Sequence, residues 1–173
     1  MHIDKKEYKI NTSKDISFKI VQISDIHFSL NYNMKRLDMI KKHITNINPD
    51  FVCIIGDLID EYDSSIIDIF TSWLKDLSSI FKVIIVLGNH DYITRCNDKY
   101  VLHDDVSWIN SIKSDNLIVL DNEVYSSNDI NFIGCNLDFS YYYNHRGISF
   151  DDYNKSLSNL INSAKKGYNI LLV

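Results

Sequence analysis

Strong breakers are scarce in this chain: it has one proline and five glycines in 173 residues. No linker, internal repeat or low-complexity tract interrupts it. The cysteines are few as well. Cys53, Cys96 and Cys135 are odd in number, far apart and form no CxxC pair. That argues against a disulfide framework and for a reducing compartment. No apolar run is long enough to span a bilayer. The polar N-terminus, MHIDKKEYKINTSKD, lacks the apolar core of a signal peptide. A cytoplasmic location is the expectation. Positive charge is also short, with a net charge of -5. Phosphate backbones are held mainly by Lys and Arg, so specific nucleic-acid binding is not expected. A nucleotide substrate stays open, because bound metal ions invert the local field.

What remains is an ordinary globular composition, 45% hydrophobic and 24% charged, at a length that suits one domain with a sizeable core. Periodicity gives a coarse map. Residues 18–24 (FKIVQIS), 51–55 (FVCII) and 82–87 (KVIIVL) read as buried strands. Between them, residues 34–46 space Leu37, Ile40, Ile44 and Ile47 as on a helix, closed by Asn48-Pro49-Asp50. A second helix runs from a Ser64 or Ser65 cap to about Leu77. Strand–helix alternation with Val- and Ile-rich strands predicts an α/β fold around a parallel sheet covered on both faces. The second half predicts a helix at 107–114, strands at 117–120 and 130–134, a tyrosine-rich loop at 140–147, a helix at 150–166 and another buried strand at 169–173. Residues 1–17 read as a tail or leading strand, and 18–173 as the domain.

Each strong strand runs directly into metal-ligand residue types. Asp25-Ile26-His27 follows the first, Gly56-Asp57-Leu58-Ile59-Asp60 the second and Gly88-Asn89-His90-Asp91 the third. Asp25, Asp57 and Asn89 are spaced 32 residues apart, the length of one βαβ unit. Right-handed crossovers bring such strand ends to one edge of the sheet, where open α/β folds bind ligands. Carboxylate, imidazole and amide oxygen together suit Mn, Fe or Zn, with Mg as a less selective occupant. Two ions at such a site clamp a phosphoryl oxygen and acidify a water. A single Asp after a strand is as readily a cap or turn former. Three such clusters at matching intervals are harder to explain that way. A flavodoxin-like domain with one Mg ion needs neither Gly-Asn-His-Asp nor a His two residues after the first Asp.

The order D-x-H, G-D-x-x-D, G-N-H-D resembles the first three signatures of the calcineurin-like metallophosphoesterases. The chain is most similar to a small bacterial group with S-D-I-H and G-D-L-I-D. The resemblance implies a β-sandwich flanked by helices (αββα) that hydrolyses phosphomonoesters or phosphodiesters. It implies two divalent metal ions: Asp25 and His27 on the first, Asp57 bridging, Asn89 on the second. His90 would protonate the leaving oxygen and Asp60 would hold the His90 ring. Asp91 is read equally as a turn carboxylate. A small phosphoester is the implied substrate.

Two further family motifs, a later strand-end His and Gly-His-x-His, are missing. His2, His43, His103 and His145 stand in neither context. The last residues, Ile170 to Val173, resemble the strand that would precede the missing His. The expectation is an N-terminal fragment with three protein ligands for the first metal, two for the second, and weak binding at the second site. The alternatives are a catalytically impaired remnant that keeps the fold and a one-metal nucleotide-binding module. The aromatic run 139–143 and the arginines Arg95 and Arg146 are read as loop residues, with contact to substrate as the rival reading.

Overall fold

The computed structural model describes residues 4–12, 16–29, 34–60, 62–96, 99–102, 106–136 and 150–173. Strand β1 (Ile20–Ser24) leads into helix α1 (Lys35–Ile47), β2 (Phe51–Ile55), α2 (Ser64–Ser78) and β3 (Lys82–Val86). A 3-10 turn (Asn89–Asp91) precedes the hairpin β4 (Ile93–Cys96) and β5 (Lys99–Leu102). Then come α3 (Ser107–Asn110), β6 (Leu117–Val119), β7 (Glu123–Ser127), β8 (Ile130–Gly134), α4 (Phe150–Ser163) and β9 (Tyr168–Leu172).

Strands β1, β2, β3 and β6 form one all-parallel sheet in that order. Side chains alternate across it with the period of a strand. Val52, Ile54, Val83, Ile85, Leu117 and Val119 point to one face and join α1 and α2 residues in a core with Ile44, Phe70 and Leu77. Phe51, Cys53, Ile84 and Val86 point to the other. There they meet Ile130, Phe132 and Leu172 of a second sheet, ordered β7-β8-β9. This explains why β2 and β3 read as unbroken apolar runs: both faces are covered, one by helices and one by a sheet. Strands β1 and β9, both expected to be buried, are not: each lies at the edge of its sheet, β1 has no buried residue and β9 buries only Leu172. Helix α4 lies outside the second sheet. Ile133 and Asn131, which face away from the first sheet, are only 1% exposed, and Tyr153 of α4 reaches Cys135. The layers are helices, sheet, sheet, helix, the mixed α/β sandwich expected.

Several local details differ from the sequence reading. Helix α2 is capped by Asp63, whose carboxylate accepts from Ser65 N at 2.8 Å, and not by a serine. A charged acceptor makes the stronger bond at a helix N-terminus. The helix expected over 107–114 is one turn, because Ser114 turns to pair with Leu117. The hairpin β4–β5 and strand β7 had no counterpart in the reading. The tyrosine-rich loop lies outside the described residues, as do His2, His103, His145 and Arg146. Residues 4–12 carry no helix or strand.

Candidate metal centre

Three neighbouring parallel strands end at one edge, and each hands over a ligand-bearing loop. After β1 the sequence Asp25-Ile26-His27-Phe28 alternates its faces: Ile26 and Phe28 are each 1% exposed, anchoring the loop in the core, while Asp25 and His27 remain accessible. After β2, Leu58 and Ile59 are fully buried between Asp57 and Asp60. The two loops continue the strand pairing one step further. His27 N donates to Asp57 O and Phe28 N to Leu58 O, both at 2.9 Å, and Asp60 N donates to Phe28 O at 3.0 Å. Residues 27, 57 and 60 are thereby held side by side.

One carboxylate oxygen each of Asp25 and Asp57 and a ring nitrogen of His27 lie within 4.8 Å of one another. The Nε2 of His27 is 3.6 Å from Asp57 Oδ2. Two donors each about 2.1 Å from a common ion sit roughly 3–3.5 Å apart, so this separation is close to that of two ligands of one metal. The other Asp57 oxygen, Oδ1, accepts from His90 N at 3.0 Å. Asp57 thus offers one oxygen to the Asp25–His27 side and one to the turn that carries Asn89 and His90. Asn89 opens that turn, and its backbone oxygen accepts from Tyr92 N at 3.2 Å.

The backbone marks the same positions. Among the described residues, Asp25 (φ 53°), His27 (φ 47°) and Asp57 (φ 50°) occupy the left-handed region. The other non-glycine cases are Asn48, Asn122 and Asn128. Asn48 closes α1 and Asn128 begins the β7–β8 turn, ordinary places for asparagine. At Asp25, His27 and Asp57 no cap or hairpin calls for the conformation. Such strain, about 1–2 kcal/mol per residue, gathers at functional sites.

Asp60 and His90 complete a second group. Oxygen of Asp60 and ring nitrogens of His27 and His90 also lie within 4.8 Å of one another. The hydrogen bond Asp60 makes is to His27 Nδ1, at 2.5 Å, and not to His90, the partner the resemblance implied. The Phe28–Ile59 bridge is the reason, since it draws residues 27 and 60 together. The His27 and His90 rings meet edge to face with centroids 5.0 Å apart.

Asp91 is fully buried, and it is a clamp between loops. Its Oδ1 accepts from Leu58 N and its Oδ2 from Gly88 N, each at 2.8 Å. Burial pushes its carboxyl up to about 7, against the opposing pull of those two amide donors. The turn-carboxylate reading is half of this role; the tie to Leu58 across 33 residues is the other half. Sequence reasoning missed Asn136. It follows the apolar run of β8 directly beyond Cys135 and hydrogen-bonds Tyr92, next to the ligand turn. A polar residue just past a buried strand was the signal that flagged the other clusters.

Strand-end carboxylates and imidazoles on one edge of an α/β sandwich make a group of side chains that could hold a metal ion. The family model for calcineurin-like phosphoesterases matches residues 18–171, and the chain belongs to that family, whose members are hydrolases acting on phosphoester bonds. An uncharacterized metallophosphoesterase of Campylobacter jejuni is 35% identical over 88 residues, 51% of this chain and 23% of that protein. A transmembrane protein with metallophosphoesterase domain from Bos taurus is 33% identical over 62% of this chain and 22% of its own length. The UDP-2,3-diacylglucosamine pyrophosphatase LpxG of Chlamydia muridarum is 31% identical over 54% and 27%. The chain therefore matches about a quarter of the length of these curated relatives. No helix among the described residues is long and apolar enough to cross a membrane.

Proposed function

We propose that this chain is a metal-dependent hydrolase of phosphoric ester bonds, monoester or diester, that uses a dinuclear metal centre. The observation that carries the reading is the convergence of Asp25, His27 and Asp57, all three in left-handed backbone, on one point. Asp25 and His27 hold a first divalent ion, Mn, Fe or Zn by donor type. Asp57 would offer its other oxygen to a second ion, and Asn89 its side-chain oxygen. When bound, the ions would supply Lewis-acid polarisation of the phosphoryl group and activation of water. The chain's own residues do the rest. His90, beside the cluster, donates a proton to the leaving oxygen. Asp60 accepts from His27 Nδ1, which leaves Nε2 with the lone pair that a ligand needs. Residues 1–17 are read as a tail or leading strand and 18–173 as the domain, and a small phosphoester in the cytoplasm is the proposed substrate setting.

Titration with Mn²⁺ while following heat tests the reading. The chain should bind Mn²⁺ with a tight first site and a weaker second, and Asp57→Asn should weaken both. Asn89→Ala should weaken the second alone; a chain with one site indifferent to Asn89→Ala is the one-metal module. Hydrolysis of bis-p-nitrophenyl phosphate by the Mn²⁺-loaded chain distinguishes an enzyme from a remnant that keeps the fold.

A further inference from the structure

Polar residues at this edge of the sandwich extend beyond the three ligand loops. Tyr92 directly follows the turn 89–91, and its phenol oxygen accepts from Asn136 Nδ2 at 2.7 Å. Asn136 lies two residues past β8, in the other sheet. It is held in turn from the β6–β7 connection. Its backbone N–H donates to Asn122 Oδ1 at 3.1 Å, and its Nδ2 donates to Asp121 Oδ1 at 3.3 Å. One amide side chain thus joins the ligand turn, the end of the second sheet and the link between the sheets.

The Tyr92 ring is half-buried against the helix-side core. Packing fixes the ring, and the hydrogen bond fixes its outer end. Only three residues separate Tyr92 from Gly88, and Tyr92 N donates back to Asn89 O. A displaced Tyr92 therefore moves Asn89 and His90 with it. Resting on the metal-centre reading above, we propose that Tyr92 and Asn136 are positioning residues, whose contact sets where Asn89 and His90 stand relative to Asp57. Groups that orient metal ligands change affinity 10- to 100-fold when removed.

Mn²⁺ affinity by calorimetry, for the wild-type chain, Tyr92→Phe, Asn136→Ala and the double variant, tests this. Urea unfolding of the same metal-free samples runs beside it. Ser126→Ala, which loses the 2.7 Å bond to Asn131 inside the second sheet, is the control for a merely structural loss. Tyr92→Phe should weaken Mn²⁺ about tenfold while its urea midpoint stays near that of Ser126→Ala. The double variant should bind no more weakly than Asn136→Ala alone, because the contact is lost only once. Wild-type binding with an unchanged Tyr92→Phe overturns the inference alone, as does an equal loss of affinity in Ser126→Ala. Absence of Mn²⁺ binding by the wild type overturns the metal-centre reading and this inference with it.

Discussion

Gly88 is glycine because of its neighbours and not because of its backbone. Its φ of -104° suits any residue. A Cβ there would stand 2.4 Å from Asp57 Oδ1, 2.5 Å from Asp57 N and 2.7 Å from Gly56 Cα. Two of those are backbone atoms that no rotamer change can clear. Gly88→Ala should therefore push the β3 loop off Asp57, destabilise the fold by about 1–3 kcal/mol and remove Mn²⁺ binding. Urea unfolding and calorimetry read the two effects, and wild-type Mn²⁺ affinity in Gly88→Ala would sink the argument. Asp91 joins the same two loops through its two acceptor bonds. Asn at 91 keeps the shape but replaces one acceptor with a donor that faces a buried N–H. A loss of roughly 1–3 kcal/mol in urea is expected. Cys53 shows the opposite consequence of burial. Desolvation pushes its thiol up to about 12, so it stays protonated at pH 8. Iodoacetamide at pH 8 should leave Cys53 unmodified in the native chain and alkylate it in urea, as peptide mass spectrometry would show.

At the scale of elements, α2 depends on its first turn. The Asp63 carboxylate accepts from Ser65, and those bonds hold its pKa below the ordinary 3.8. A carboxyl whose pKa is depressed by folding stabilises the native state above its unfolded value. That contribution disappears as pH falls through the lower folded value. Asp63→Ala should lower the melting temperature at pH 7, and the gap to wild type should close as the pH drops below 4. A gap that persists in acid would assign the loss to something other than the carboxylate. The same element also shows where sequence reading stops. The helix was legible from Ile66, Phe70, Trp73 and Leu77, which repeat at helical spacing and all lie in the core. Its cap was not, because Asp63, Ser64 and Ser65 are all eligible and only the backbone decides. Strands β2 and β3 were legible as continuous apolar runs. Strand β7 (EVYSS) was not, since it is partly exposed and has too few apolar residues for alternation to emerge. The ligand loops were readable because each sits directly after a buried strand. The Asp91 clamp and the Tyr92–Asn136 contact were not, because their partners lie 33 and 44 residues away.

Across the whole molecule, the parallel sheet is the shared wall of two cores. Each of its strands sends alternate residues to the helices and to the second sheet: Val83 and Ile85 to one, Ile84 and Val86 to the other. Neither core can loosen without disturbing strands that the other needs, so the chain should unfold as one cooperative unit. Phe132 tests this from the second sheet. It is fully buried, its ring lies 4.8 Å from Phe51 on β2, and it is far in sequence from the helix-side core. Phe132→Ala should cost about 3–5 kcal/mol through lost burial and the cavity left behind. Both tryptophans, Trp73 and Trp108, belong to the helix side. Their fluorescence should nevertheless report the full loss, with a urea midpoint that falls together with hydrogen-exchange protection of the β8 amides. A Trp transition that stays at the wild-type midpoint while β8 protection collapses would show two independently unfolding layers. The ligand edge would then belong to the helix-side layer alone, and the contact from Asn136 would have no leverage on it.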